Sequence, residues 1–228
     1  MVATVFPSVG RFFLPVVYLN THFHELCHAL VALACGGEVE KIVVNANGSG
    51  VTPIRGGNVF LEASAGYLGA TIVGAMTIFF SRRPEAARNV LRTLAIFLGV
   101  SLMVFVRGDS VGVVAGIFWV FAILAASRYL SGQSLVFSAQ LLGLFMCLNA
   151  IQSVYTVLQI SALTEMDSDA KIVASVTGLP PILWASMWCL TSLVLVGTTL
   201  RHSWNLPTSG LGGSRRPDRK FQNVQGTR

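Results

Sequence analysis

Charged side chains are scarce in this chain: among its 228 residues, 11% are charged, whereas 53% are hydrophobic. Soluble globular domains carry roughly a quarter charged residues, so the sequence lacks the polar surface that a water-soluble fold of this size requires. Four cysteines are too few for a disulfide-stapled secreted scaffold, and the apolar content excludes a disordered chain. The composition therefore predicts a protein that is solvated mainly by lipid.

Basic residues outnumber acidic ones and give a formal net charge of +6, but their distribution does not suit nucleic-acid binding. Much of the excess lies in residues 82–92 and 201–228, and neither segment forms a basic stripe interleaved with aromatic side chains. The sequence also lacks a phosphate-binding glycine loop and a serine nucleophile motif. We therefore expect no nucleic-acid partner, and we assign the basic segments to the surface of a lipid bilayer.

Six apolar runs are candidates to cross the roughly 30 Å of bilayer hydrocarbon. They lie near residues 12–35, 62–81, 93–107, 111–128, 135–160 and 179–200. The third run is short and is separated from the fourth only by residues 107–110, so these two form either a tight hairpin or one broken element. We predict an all-α, multi-pass membrane protein with about six transmembrane helices in residues 1–200 and a basic, disordered tail over residues 201–228.

Basic loops predict how the chain is oriented in the membrane. Arginines cluster after the second run at 82–92, Arg128 follows the fourth run, and the basic tail follows the sixth. With six crossings these three regions share one side, which the positive-inside rule makes cytoplasmic. The loop between the first two runs and the connections at 107–110 and 165–169 then share the opposite side. We expect the protein in the cell membrane in this orientation.

The polar segment between the first two runs has the composition of a β-hairpin. Residues 39–44 are rich in β-branched side chains, residues 45–50 supply turn formers, and residues 51–54 can form the returning strand. We predict a hairpin with an irregular turn at about residues 38–58. Its Asn47-Gly48-Ser49 triplet matches a glycosylation acceptor, but turn sequences produce such triplets without a glycan, and we interpret it as a turn.

Small residues and cysteines in the apolar runs have a simple packing interpretation. Gly66, Ala70 and Gly74 recur every four residues in the second run, which predicts a helix face that other helices approach closely. The four cysteines lie at positions 27, 35, 147 and 189 and form no metal-binding pair, so we interpret them as small apolar side chains.

The most informative residues are His24-Glu25-Leu26-Cys27-His28, in the later half of the first run. On an α-helix His24 and His28 lie one turn apart on one face, so both imidazoles can reach one metal ion, and Glu25 can accept a proton from metal-bound water. The alternative is a polar cluster that grips a neighbouring helix. Because ionisable groups inside a membrane are costly and usually functional, we favour the metal site. His22 lies on nearly the opposite helix face, and we interpret it as an interfacial side chain.

Further segments extend this motif into a longer pattern. They are the continuation of the motif to Leu30, Gly36-Gly37, Gly50-Val51-Thr52, Ala63-Ser64-Ala65-Gly66-Tyr67-Leu68-Gly69, and Asp167-Ser168-Asp169-Ala170 with Leu179-Pro180 and Trp184. Over about residues 16–200 this pattern resembles the compact bacterial and plant branch of the site-2 protease clan, which are intramembrane zinc metalloproteases. The resemblance implies that His24, His28 and a distant aspartate hold zinc, that Glu25 is the general base, and that transmembrane proteins are the substrates.

A catalytic zinc site of two histidines and one carboxylate leaves a fourth position open for water, so an acidic residue should approach His24 and His28. Two aspartates are candidates for this third ligand. Asp169 fits the later Ser-Asp-Ala segment of the resembled branch and is our first choice. Asp109 is the alternative, since it lies where classical site-2 proteases carry a Leu-Asp-Gly ligand. Without a metal, we expect Asp109 to form a salt bridge with Arg107 at a helix end and Asp169 to begin a helix.

The predicted function is that of a zinc-dependent intramembrane endopeptidase, which cleaves membrane-embedded or membrane-proximal peptide bonds with a metal-activated water. The alternative is a non-catalytic relative that binds other transmembrane helices, or a metal-binding membrane protein. A transporter is disfavoured because the ionisable residues are concentrated at one depth and the chain has no internal repeat. For a protease, the hairpin offers a strand edge on which an unwound substrate can pair.

Overall fold

The computed structural model describes residues 7–163 and 168–204, and the chain is mostly helical over these ranges. Its helices are α1 (Pro7–Ala34), α2 (Val59–Phe80), α3 (Pro84–Val104), α4 (Ser110–Tyr129), α5 (Gly132–Leu163), α6 (Asp169–Thr177) and α7 (Pro181–Trp204). Four short strands lie between α1 and α2, namely β1 (Glu38–Val39), β2 (Val43–Val44), β3 (Gly50–Val51) and β4 (Ile54–Arg55). The predicted helical fold with a small hairpin after the first helix is confirmed.

Four helices, α2, α3, α4 and α7, are long and apolar enough to cross a membrane. Their outward faces carry large apolar side chains at half exposure or more, among them Ile96, Met103, Phe121 and Leu190, as expected for surfaces that contact lipid. α1 and α5, with 28 and 32 residues, are not among these four candidate spans. α1 includes the polar motif, and the described apolar part of α5 is the shorter segment Gly132–Leu148. The chain is thus an integral membrane protein, and the count of six spans stays a prediction.

α2 lies at the centre of the bundle, in contact with α1, α5, α6 and α7. Its N-cap is Asn58, whose side chain accepts a hydrogen bond from the backbone N–H of Leu61, while Glu62 Oε1 accepts one from the N–H of Asn58. Gly74 leaves no room for a Cβ against the carbonyl of Gly143 on α5. The small-residue face of this helix therefore allows the close packing that its spacing predicts.

α3 and α4 form a helical hairpin, so the first of the two sequence-based alternatives holds. Arg88 near the start of α3 donates hydrogen bonds to the carbonyls of Ser127 and Leu130 at the end of α4, which places the two basic helix ends side by side. α3 starts at Pro84, nine residues before the predicted run. Hydropathy missed this first part because Arg88 and Arg92 interrupt the apolar pattern, although proline at the first helical position is a start signal.

The β-hairpin has two pairs of strands and an irregular turn. β1 pairs with β4 (Glu38 with Arg55), and β2 pairs with β3 (Val43 with Val51), both antiparallel. Between them Ile42 forms a parallel bridge to Val106, with its N–H donating to Phe105 O and its carbonyl accepting from the N–H of Arg107, both at 2.9 Å. The first half of the hairpin is thus attached at Ile42 to the α3–α4 connection. The second half, residues 50–55, forms the opposite edge of the hairpin.

The basic tail falls largely outside the described residues, which end at 204. α7 extends to Trp204, so the first four positions assigned to the tail are helical.

Candidate metal centre

Two imidazole rings project from α1 towards α2. The Nε2 atoms of His24 and His28 are 3.0 Å apart, as expected for side chains one turn apart on one face. Gly66 on α2 lies directly opposite, and a Cβ at this position would overlap ring atoms of both histidines. The predicted small-residue face thus does more than pack helices, because it makes room for the two rings.

Asp169 reaches the same point from a different part of the chain. It is the first residue of α6, and Ser168 caps this helix by accepting a hydrogen bond from the N–H of Lys171. Its Oδ2 atom is 3.1 Å from Nε2 of His24 and 3.5 Å from Nε2 of His28. Apolar contacts fix α6, since Ala170 and Val173 pack in a buried cluster with Ala63 of α2 and Trp188 of α7. The structure therefore brings together the three residues of the first-choice ligand set.

The hydrogen bonds of His28 define which nitrogen is available to a metal. Its Nδ1–H donates to the carbonyl of Glu62 at 2.6 Å, so the lone pair of the neutral ring is on Nε2 and faces His24 and Asp169. Such a bond from the outer nitrogen is typical of metal-ligating histidines. The N-terminal cap of α2 holds Glu62 in place, so this cap also orients His28.

The carboxylate of Asp169 lies outside the candidate spans and is half-buried, and its charge is stabilised by the histidines. Burial raises the pKa of Asp169, yet the imidazoles of His28 and His24, when protonated, more than offset burial through charge and hydrogen bonds and bring the pKa below its ordinary value. The convergence of two ring nitrogens and a carboxylate oxygen within 4.8 Å of one another is a donor set that a cation can satisfy.

Asp109 lies elsewhere, as the N-cap of α4. Its Oδ1 accepts a hydrogen bond from the N–H of Val111, and its Oδ2 accepts one from the N–H of Ala46 in the hairpin turn, both at 2.8 Å. Its expected salt bridge with Arg107 is absent from the described residues, because that guanidinium donates to the carbonyls of Leu102, Met103 and Val106. Asp109 therefore ties the turn to α4 and does not join the histidine cluster.

Glu25 is buried beside the histidines and is held by the hairpin. Its Oε2 accepts a hydrogen bond from the hydroxyl of Thr52 at 2.6 Å, and its Oε1 lies so close to Gly50 that a Cβ there would overlap it. Glu25, His24, His28 and Asp169 line one cavity of about 750 Å³, which the hairpin residues from Asn45 to Thr52 border on another side. Sequence reasoning assigned no role to Thr52, although it lies in the hairpin end that carried the resemblance.

His22 is not interfacial, contrary to the sequence-based interpretation. It is fully buried, and its Nε2–H donates to the carbonyl of Gly112 on α4 at 3.0 Å. A Cβ at Gly116 would approach the same ring within 2.8 Å. Gly116 on α4 was the signal for this contact, since its missing side chain leaves room for the ring, whereas Gly112 leaves room for Val44 of the hairpin. The cysteines are free thiols, and Cys27 and Cys147 are buried, as their apolar interpretation predicts.

Gly66→Ala is expected to lower zinc affinity by about 10- to 100-fold, the loss typical when groups that orient metal ligands are disturbed. Alanine favours the helix by about 1 kcal/mol over glycine, so a loss of metal would come from displaced imidazoles and not from a weakened α2. Competition with a chromogenic chelator measures the affinity. The matched control is Gly197→Ala on α7, where a Cβ meets nothing within 4 Å. Equal affinity in both variants would contradict the close contact at Gly66.

In this integral membrane protein, two histidines one turn apart on a helix, an adjacent glutamate and an opposed aspartate form the kind of donor set found in metallohydrolases. The model of the peptidase M50B-like family matches residues 1–199 of this chain. The chain therefore belongs to the peptidase M50B-like family, and the resemblance to site-2 proteases is confirmed at the family level. No curated protein and no solved structure shows significant similarity to it.

Proposed function

We propose that the protein is a zinc-dependent intramembrane endopeptidase. The observation that carries the proposal is the meeting of His24, His28 and Asp169 in one cavity with Glu25, a carboxylate fixed in place by Thr52. Metal binding alone would need only the first three residues. The buried Glu25 is a base for which a binding protein has no evident use.

The separations of the three ligand atoms support zinc as the metal. Ligands about 2.0–2.1 Å from a tetrahedral zinc are separated from each other by about 3.3 Å. The corresponding distances between Nε2 of His24, Nε2 of His28 and Oδ2 of Asp169 are 3.0, 3.1 and 3.5 Å. Two imidazoles and one carboxylate are the ligand set of several catalytic zinc sites, in which a fourth position stays open for water.

The residues divide the chemistry of peptide hydrolysis between them. When bound, zinc supplies the Lewis acidity that activates a water molecule and polarises the scissile carbonyl. Glu25 takes a proton from the attacking water as its oxygen bonds to the carbonyl carbon, and it returns this proton to the amine nitrogen when the C–N bond breaks. His28 keeps its orientation through Glu62 O, and the apolar cluster around α6 holds Asp169.

The hairpin supports a route for the substrate, which we expect to be a transmembrane protein. A peptide bond in a helix has its carbonyl already hydrogen-bonded, so a transmembrane substrate must unwind before it is cleaved. One edge of the hairpin is occupied by the α3–α4 connection through Ile42 and Val106. The other edge, at Gly50 to Ile54, lines the cavity beside Glu25, and we propose that an extended substrate pairs there.

The proposed orientation keeps the basic helix ends on the cytoplasmic side. Arg82 and Arg83 lie between α2 and α3, and Arg88 joins the start of α3 to the end of α4 near Arg128. The hairpin contacts the α3–α4 connection at the opposite ends of these helices, next to the metal centre. The positive-inside rule then places the basic ends in the cytoplasm.

The purified, detergent-solubilised protein tests the function through zinc stoichiometry and peptide cleavage. We expect one zinc ion per chain and cleavage of some members of a library of transmembrane-segment peptides. Removal of zinc by a chelator should abolish cleavage, and added zinc should restore it. A protein that binds zinc stoichiometrically but cleaves no peptide would be a non-catalytic, metal-binding relative. A protein that binds no divalent ion would overturn both the zinc site and the endopeptidase activity.

A further inference from the structure

We propose that Thr52 is a positioning residue, whose hydroxyl fixes Glu25 through Oε2 and leaves Oε1 to exchange the proton. This inference deepens the proposed function and rests on it. The contact joins the hairpin to α1 across 27 positions of sequence, so it is a tertiary interaction between two elements of the site.

The Thr52–Glu25 hydrogen bond has the geometry of a charge-assisted contact. The oxygen atoms are 2.6 Å apart, within the 2.5–2.7 Å typical of a hydroxyl that donates to a carboxylate. The same hydroxyl lies 3.4 Å from the backbone carbonyl of Glu25. Because a hydroxyl has one proton to donate, the shorter contact to Oε2 takes it.

The backbone on both sides holds Thr52 in place. Pro53 follows it and restricts Thr52 to extended conformations. The carbonyl of Pro53 accepts a hydrogen bond from the N–H of Glu40 at 3.1 Å, which attaches this strand to its partner. The hairpin is attached in turn to the α3–α4 connection through Ile42 and through Asp109. Thr52 therefore presents its hydroxyl from a fixed scaffold.

Gly50 determines what the second carboxylate oxygen faces. The strand passes Oε1 of Glu25 so closely that a Cβ at this position would displace the Glu25 side chain. Oε1 consequently lies against the edge on which we expect the substrate backbone to pair. With Oε2 occupied by Thr52, the proton of the attacking water goes to Oε1 and later passes from Oε1 to the amine nitrogen of the leaving segment.

Thr52→Val removes the hydroxyl and keeps the β-branched shape. We expect kcat to fall by about 10- to 100-fold, because the buried carboxylate loses a charge-assisted bond, with KM within about twofold because the strand edge is unchanged. Thr52→Ser restores the hydroxyl and should recover most of kcat. Thr77→Val is the matched control, since it removes a threonine hydroxyl that, among the residues the structure describes, donates to the carbonyl of Val73 on its own helix.

A second measurement does not depend on peptide cleavage. The sequence has six glutamates, so an NMR spectrum of protein labelled with ¹³C at the glutamate carboxyls contains few signals. The signal that disappears in Glu25→Gln is the signal of Glu25. We expect Thr52→Val to shift this signal, and Thr52→Ser and Thr77→Val to leave it in place.

The outcomes separate this inference from the proposed function. An unchanged kcat in Thr52→Val, a rise in KM alone, an unmoved Glu25 signal or a failure of serine to restore activity would each overturn the role of Thr52. If zinc-loaded parent protein cleaves nothing while the Glu25 signal still responds to Thr52→Val, the proposed function fails but the positioning contact stands.

Discussion

Glu25→Gln is expected to lower kcat by about 10²- to 10⁴-fold, the range that positioned general bases contribute, with one zinc ion still bound per chain. Glutamine has nearly the volume of glutamate, and its carbonyl oxygen can still accept the Thr52 hydrogen bond, so the local packing should persist. It cannot take a proton from water at neutral pH. The three proposed metal ligands, His24, His28 and Asp169, are unchanged in this variant.

The measurement compares kcat and zinc content of the two purified proteins on one cleaved peptide. Glu85→Gln is the control, because it makes the same change of charge and volume at a residue that is exposed in the first turn of α3. Equal kcat for the parent and Glu25→Gln would contradict the role of Glu25 as general base. A loss of zinc together with activity would instead show that Glu25 holds the metal site together.

Local periodicity was enough to predict the part of the site that lies on one helix. The spacing of His24 and His28 fixes their relative direction on any α-helix, and the structure has both rings on one face. The hairpin was likewise local, since turn residues between two β-branched segments specify the reversal at 45–49. Both predictions needed only the chemistry of neighbouring residues.

Features that depend on tertiary contacts were predicted less well. His22 was assigned to an interface because its helix face points away from the motif, but in a bundle that opposite face packs against α4. Asp169 is 145 positions from His24, and no periodicity links them, so only the resemblance could favour it over Asp109. Thr52 gave no signal of its own, because a threonine before a proline in a hairpin is an ordinary turn-and-strand residue.

Asp169→Asn is expected to lower zinc affinity by more than about 100-fold, because it replaces a proposed ligand, whereas changing a group that only orients a ligand typically costs about 10- to 100-fold. Asparagine keeps the shape of the side chain but brings a neutral amide to a point where two imidazole nitrogens already converge. Asparagine also suits the first turn of a helix, so α6 should remain docked through Ala170 and Val173.

Asp109→Asn is the matched control for this prediction, and it also tests the alternative third ligand. Asparagine caps helices as well as aspartate does, and its oxygen can still accept the N–H of Val111. We therefore expect zinc affinity within about twofold of the parent, which corresponds to the roughly 0.5 kcal/mol spread of substitutions away from a site. Competition with a chromogenic chelator measures both variants under one condition. If Asp109→Asn lost the metal and Asp169→Asn kept it, Asp169 would not be a ligand and α6 would only pack against the bundle. Asp109 could then reach the histidines only after its hydrogen bond with the N–H of Ala46 broke.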